Sequence, residues 1–263
     1  MDKHLKHQQT RFSAAAARYD QLARVQQAVA DRLFQGLAFL GNPRRVLDIG
    51  CGTGALTRKL AATWPRAEVE GIDSAPGMID EAQRLHRTED RPRFTCADAR
   101  TFAPGHRYDL LVSTSTLHWI QPLDRTFAHL ATLLEPGGNF AFALMLEHTL
   151  GELHALRREI APGKPPAARM PSESAVRAAL AGAGLRVAMD EVEERVTHAE
   201  SALAVLHDLR ALGVTGGSLS RGATPLTRGE LTHLIVAYDA RHREADGVRA
   251  TYHVGYFWGS RGA

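Results

Sequence analysis

Three glycines within five residues mark the stretch of this chain where chemistry is easiest to read. The segment Val46-Leu-Asp-Ile-Gly-Cys-Gly-Thr-Gly54 places Gly50, Gly52 and Gly54 at alternate positions behind a short apolar run. Glycines between a strand and a helix let the backbone turn sharply and approach a ligand closely. A phosphate loop uses the same device, so the neighbouring residues must discriminate. The spacing is Gly-x-Gly-x-Gly, not Gly-x-Gly-x-x-Gly, and no Gly-Lys-Ser/Thr follows. Asp48 lies just before the turn. A carboxylate there repels a pyrophosphate and suits a cation, such as the sulfonium and amino-acid portion of S-adenosylmethionine.

Other polar residues fall at the same kind of position. Asp73 stands where ribose hydroxyls would find a hydrogen-bond acceptor. Asp98 and Ala99 are placed to hold an adenine edge, with Met78 and Ile72 as apolar walls. Ser113 ends a further apolar run. Helix capping is the competing role for Asp73 and Asp98, and core packing for Met78.

The elements that must position these residues follow from periodicity. Helical spacing runs from Gln9 to Leu40 and stops at Gly41-Asn-Pro43. Strands are expected at Arg45–Ile49, Glu68–Ile72, Arg93–Cys96, Tyr108–Ser113 and Asn139–Leu146. Helices are expected between them, at Ala55–Trp64, from Pro76 to about His86 with Ser74 as N-cap, and at Leu123–Leu134. Such alternation implies an α/β, Rossmann-like, doubly wound and mostly parallel sheet of seven strands. Gly50, Asp73, Asp98 and Ser113 then meet at the carboxyl ends of the strands, where ligands bind in this architecture. Beyond Leu146 the rhythm breaks. Helices at Gly151–Ile160, Ser172–Ala183, Ala199–Leu212 and Thr227–Arg243, with strand-like Leu185–Val196 and Ala250–Trp258, suggest the last strands and a helical lid. The expected organisation is one domain over residues 1–263. It comprises an N-terminal helical cap (1–42), a cofactor core (43–146) and lid insertions with the last strands (147–263).

Composition excludes several classes. Two cysteines, Cys51 and Cys96, cannot build a disulfide framework, and the 13 histidines show no His-x-x-x-His pair, so no metal is expected. The longest apolar run, Phe140–Leu146, is too short to cross a bilayer, and no secretory h-region follows the basic start. A cytoplasmic monomer is the expectation. The net charge of +3, dominated by arginine, fits an anionic substrate or an acidic partner, or simply a solvated surface. No basic run interleaved with aromatics points to nucleic acid.

Residues 45–146 resemble the class I S-adenosylmethionine-dependent methyltransferases: the glycine segment, then Gly-Ile-Asp-Ser-Ala-Pro-Gly-Met-Ile, Ala-Asp-Ala and Leu-Glu-Pro-Gly-Gly. The flanks resemble a narrower family, the malonyl-[acyl carrier protein] O-methyltransferases of biotin synthesis. The similar segments are Arg11-Phe-Ser-Ala-Ala-Ala-Ala-Arg-Tyr19-Asp with Gln26, Ser113-Thr-Ser-Thr-Leu-His-Trp119, Arg169-Met-Pro171, Leu206-His-Asp-Leu-Arg210-Ala-Leu-Gly213, Leu226-Thr-Arg and Ala250-Thr-Tyr252-His-Val. The family has arginine where Ala14 stands, with Arg18 nearby here, asparagine where Thr114 stands and glutamine where His118 stands.

The resemblance implies O-methylation of the free carboxylate of a malonyl thioester on acidic acyl carrier protein, with S-adenosylmethionine as cofactor. Another small carboxylic acid or metabolite is the alternative acceptor. A carboxylate is ionised at neutral pH and needs no general base, only alignment and exclusion of water. The candidates for the acceptor side are Tyr19, to orient the nucleophile, His118 after the fourth strand, and Arg210 for the malonyl carboxylate. Helix packing, a satisfied histidine and a solvated helix face are their respective bland alternatives.

Overall fold

The computed structural model describes residues 3–86, 91–215, 218–219, 222 and 224–262. Among them one sheet runs in the order β3-β2-β1-β4-β5-β8-β6. Its strands are β1 (Arg45–Ile49), β2 (Glu68–Asp73), β3 (Arg93–Cys96), β4 (Tyr108–Thr114), β5 (Leu134–Met145), β6 (Leu185–Ala199) and β8 (Gly247–Arg261). A two-residue strand, β7 (Arg243–Glu244), pairs with β8 and brings the count to eight, one above the expected seven. β1 to β5 are parallel, and β8 lies antiparallel between β5 and β6.

Alternation along the central strands assigns each face. Leu47 and Ile49 of β1, with Leu111 of β4 and Phe140 and Phe142 of β5, pack towards helices α5 (Leu123–Leu133) and α7 (Glu173–Gly182). Val46, Leu110, Val112 and Ala141 face the other way, onto Val29 and Leu33 of helix α2 (Arg24–Gln35) and Leu60 of helix α3 (Ala55–Thr63). Both faces are therefore apolar, as a parallel sheet covered on both sides requires.

The expected N-terminal helical pattern is two helices, α1 (Lys3–Leu22) and α2, broken at Ala23, where ψ is 40°. The break lets Tyr19 and Asp20 at the end of α1, and Gln26 at the start of α2, face the strand ends. α1 lies on helix α4 (Pro76–Leu85) so closely that a Cβ on Gly77 would come within 2.7 Å of the Ser13 carbonyl. Ser74 does not cap α4. Asp73 Oδ1 accepts the Ala75 N–H at 2.8 Å instead.

The second half forms a roof over the sheet. Helices α6 (Gly151–Ile160), α8 (Ala202–Ala211) and α9 (Arg228–His242) pack around Leu156, Val205, Leu209, Leu234 and Tyr238. Sequence-local caps start these helices where side chains permit: Ser172 for α7, Ser201 for α8, and a reciprocal Thr227–Glu230 pair for α9. The long β6–β8 ribbon carries α8 and α9 between its strands, from the Ala199↔Val248 pair.

Candidate active site

At the carboxyl ends of β1, β2 and β4 the chain encloses a cavity of about 220 Å³. Tyr19, Gly50, Gly52, Asp73, Met78, Asp98 and Ala99, all singled out from the sequence, line it, and so does Ile72. The loop between β1 and α3 adopts positive φ at Gly50 (71°), Gly52 (55°) and Gly54 (81°). Gly50 is fixed by contact, because a Cβ there would meet Thr116 at 2.2 Å. A Cβ on Gly52 meets nothing within 4 Å. The Gly52 N–H donates to Asp73 Oδ2 at 3.1 Å, so one carboxylate ties the loop to the next helix start.

Met78 is almost fully buried and packs with Ala16 and Ala75, so it is both wall and core. Asp98 is clamped by the Arg100 guanidinium, its closest contact 2.5 Å, which holds its carboxyl below the usual range. Asp20 closes the top of the loop by accepting the Thr53 hydroxyl at 2.5 Å. Desolvation raises the Tyr19 phenol well above its ordinary value, helped by the negative charges of Asp73 and Asp20. Tyr19 is therefore a protonated donor across the physiological range. Among the described residues the wall carries Asp20, Asp73 and Asp98 against Arg100, which is paired with Asp98, so it favours a cation over a polyphosphate.

Three of the expected cofactor residues lie elsewhere. Asp48 shares its strand face with Val46, which aims it beneath the loop towards α3, where it accepts the Thr57 hydroxyl at 2.6 Å. Burial raises its carboxyl to about 7, opposed by the Thr57 bond and assisted by Asp73. It does not line the cavity. Ser113 shares its face with Leu111, is fully buried, and donates to the Ile49 carbonyl at 2.8 Å, locking β4 to β1. Gly54 initiates α3, and a Cβ there would strike the Phe94 ring at 2.5 Å, so its role is helix–strand packing.

A second cavity of about 230 Å³ adjoins the first under the roof. Phe12, Tyr19, Gln26, Ser115 and Trp119 belong to the walls of both. The rest is mainly apolar: Met145, Leu153, Leu206, Leu209, Leu226, Leu231 and Leu234, with Tyr252. The edge-to-face pair of Phe12 and Trp119, 6.0 Å between centroids, braces the junction. Ser115 and Gln26 carry polar atoms there, Oγ and Oε1, that are shielded and have no partner among the described residues. Ser115 also holds φ at 53°, a costly conformation for a residue with a Cβ.

His118 lines this second cavity, buried, with Nδ1 accepting the Met145 N–H at 3.4 Å. Burial alone lowers its imidazole to about 3, so it stays neutral. Arg210 is not there. The buried face of α8 comprises Ala202, Val205 and Leu209, and the residue after Leu209 is turned out into solvent. The cation that does line the cavity is Arg157 of α6, half-buried, with Nε donating to the Lys164 carbonyl at 3.0 Å. No sequence signal marked Arg157, and Ser115 was visible only as part of the segment Ser113–Trp119. Asp20 was visible only as the neighbour of Tyr19.

The methyltransferase-domain family model matches residues 46–138. A malonyl-[acyl-carrier protein] O-methyltransferase of Geobacter sulfurreducens is 36% identical over 95% of this chain and 96% of its own. One from Halorhodospira halophila is 34% identical over 95% and 86%. Among solved structures, the YcgJ protein of Bacillus subtilis superposes with a TM-score of 0.63 at 16% identity, covering 89% of this chain and 98% of that one. Magnesium protoporphyrin IX methyltransferase of Synechocystis, solved with bound SAH, gives 0.55 at 19% identity over 90% and 82%. The structural likeness shows the fold, and the curated relatives show the family.

Proposed function

The chain belongs to the malonyl-[acyl-carrier protein] O-methyltransferase family, and from that premise we propose that it methylates the free carboxylate of a malonyl thioester on acyl carrier protein. The ester masks the charge, so the chain can be elongated as an ordinary primer towards the pimeloyl skeleton of biotin. The observation that carries this reading is the junction. An acidic cavity fit for a cation opens through Tyr19, Gln26, Ser115 and Trp119 into an apolar cavity fit for an acyl chain.

The first cavity suits S-adenosylmethionine on its own features. Gly52 leaves open space where a side chain would intrude, Asp73 keeps lone pairs for hydroxyl donors beyond the N–H groups it accepts, and Gln26 Oε1 lacks a partner among the described residues. When bound there, this cofactor supplies a methyl group on a sulfonium, which an ionised carboxylate attacks without a base. The residues present agree with base-free chemistry. His118 is buried and neutral, and the Tyr19 phenol holds its proton. Tyr19 can donate to the acceptor carboxylate and orient it. Phe12, Trp119 and the leucines of α8 and α9 exclude water from the junction. Transfer cancels a positive and a negative charge, so a dry, weakly polar pocket favours it over water.

Incubation with S-adenosylmethionine and malonyl-acyl carrier protein should give a carrier heavier by one methyl group, seen by intact-mass spectrometry. Absence of transfer to any malonyl thioester, with a carrier-linked control confirmed intact, would overturn the reading.

A further inference from the structure

A third cavity, of about 300 Å³, lies behind the acceptor cavity between α6 and the segment 161–171. Its wall carries Arg157, Arg158 and Arg169 with His148 and His154, against the single carboxylate of Glu147. Glu147 is itself 3.8 Å from His148. Arg158 and Arg169 make no ion pair or hydrogen bond with a described residue. Arg157 and His154 line this chamber and the acceptor cavity alike, so the two spaces adjoin across those side chains. The basic field reaches that boundary. The His154 imidazole is lowered first by burial and then by the charges of Arg157 and Arg158.

An apolar cavity bordered by a cluster of guanidinium groups matches a ligand with a long neutral middle and an anionic stem. Arginine forks bind phosphate oxygens through paired charge-assisted hydrogen bonds. The malonyl carboxylate must lie at the Tyr19 junction to be methylated, so it cannot also occupy this chamber. A thioester carried on a pantetheine arm has a second anion, the phosphodiester at the arm's other end.

We propose that the Arg157–Arg158–Arg169 chamber binds the phosphate of the acceptor's pantetheine arm, while the thioester end occupies the apolar cavity. The inference rests on the thioester reading above. The shared chemistry is the phosphate, whether the arm hangs from a carrier protein or from coenzyme A.

The test compares malonyl-phosphopantetheine with malonyl-pantetheine, which differ only by that phosphate. Wild-type enzyme should show a kcat/KM about tenfold higher for the phosphorylated acceptor, the scale of one or two charge-assisted bonds. In Arg158→Ala/Arg169→Ala the ratio of the two kcat/KM values should fall about tenfold, and Arg158→Lys/Arg169→Lys should restore most of it. A ratio near one in wild type, or one unchanged by the alanines, overturns the proposal. An equal fall in kcat/KM caused by the alanines with carrier-linked and coenzyme A-linked malonyl assigns the site to the arm. A fall confined to the carrier-linked acceptor moves the arginines to a protein-docking role and also overturns it. Should wild type methylate neither acceptor nor malonyl-acyl carrier protein, the thioester reading fails by itself. Calorimetric titration with phosphopantetheine and pantetheine then decides the chamber separately: selective binding lost in the alanine variant supports it, and equal binding rejects it. Thermal unfolding checks that each variant is folded, and the single Arg158→Ala, on an exposed position of α6, replaces the double variant if that one is not.

Discussion

The two adjoining cavities are built on opposite principles. The cofactor cavity is made by main chain at the ends of neighbouring parallel strands: glycines that bend, and carboxylates that accept N–H groups from the next turn. The acceptor cavity is made by side chains from α1, α2, α6, α8, α9 and β8, remote from one another in sequence. The first is intolerant at a few positions and polar. The second is apolar and spreads its contribution over many leucines. A cavity of backbone fails when one Cβ is added, whereas a cavity of leucines degrades by increments.

The sharpest way to break this comparison is Gly52→Val. The site has room for the side chain in the folded protein, so the cost to stability should be the strain of a β-branched residue at positive φ, about 1–3 kcal/mol. The isopropyl group occupies ligand space, so S-adenosylmethionine affinity should fall at least about a hundredfold, ~3 kcal/mol. Calorimetry alongside far-UV circular dichroism separates the two effects. Unchanged affinity would move the cofactor elsewhere.

Next in size is Tyr19→Phe. Loss of one donor at the junction should lower kcat about tenfold, ~1.5 kcal/mol, with little change in cofactor affinity. An equal loss of cofactor affinity would assign Tyr19 to the first cavity instead.

Asp48 gives a smaller, pH-dependent effect. Its folded carboxyl, raised to about 7, binds a proton more tightly than the unfolded one. The associated stability is therefore present below pH 4 and lost as pH rises towards 7 and above. A cation in the adjoining cavity favours the ionised form, so cofactor affinity should rise with pH through about 7. Asp48→Asn should flatten both dependences, and a wild-type affinity flat from pH 5.5 to pH 8 would remove Asp48 from the site's electrostatics.

The smallest changes should come from His118→Gln and Arg210→Ala. Because His118 is neutral down to about 3, its replacement should leave the shape of the pH–rate profile between 5 and 8 unaltered and kcat within about threefold, ~0.6 kcal/mol. Arg210 lies on the solvent side of α8, so its loss should leave KM for the acceptor within about twofold. A tenfold rise in KM would return Arg210 to substrate binding.

The same contrast explains what the sequence revealed. β1 and β3 were legible to the residue, because runs such as Arg-Val-Leu-Asp-Ile end in turn signals that permit no other boundary. The glycine loop, Asp73 and the Asp98-Ala99 pair were legible because their neighbours in space are also near in sequence. Asp48 and Ser113 were misplaced by position alone. Both stand at strand ends, but period-two alternation turns one into the α3 face and the other into the α5 face. Arg157 could not be foreseen. Its place depends on how α6 folds back over the sheet, which no local pattern encodes. Ser115 likewise takes its left-handed backbone from the hydrogen bond of its N–H to the Ala143 carbonyl at 2.9 Å, a partner 28 residues away.

The ribbon of β6 and β8 has a further consequence. β5 stops pairing with β8 at Val254, but β6 and β8 remain paired as far as Ala199 and Val248. The segment 200–247 thus leaves and re-enters the fold at two adjacent points on a stalk of β6 and β8 that extends beyond the pairing of β5. A segment attached in this way is a cassette. Helices of another length or polarity can be strung between the same two residues without shifting any strand that holds the methyl donor. Substrate range in such a chain can change by replacing the cassette, while the chemistry beneath it stays as it is.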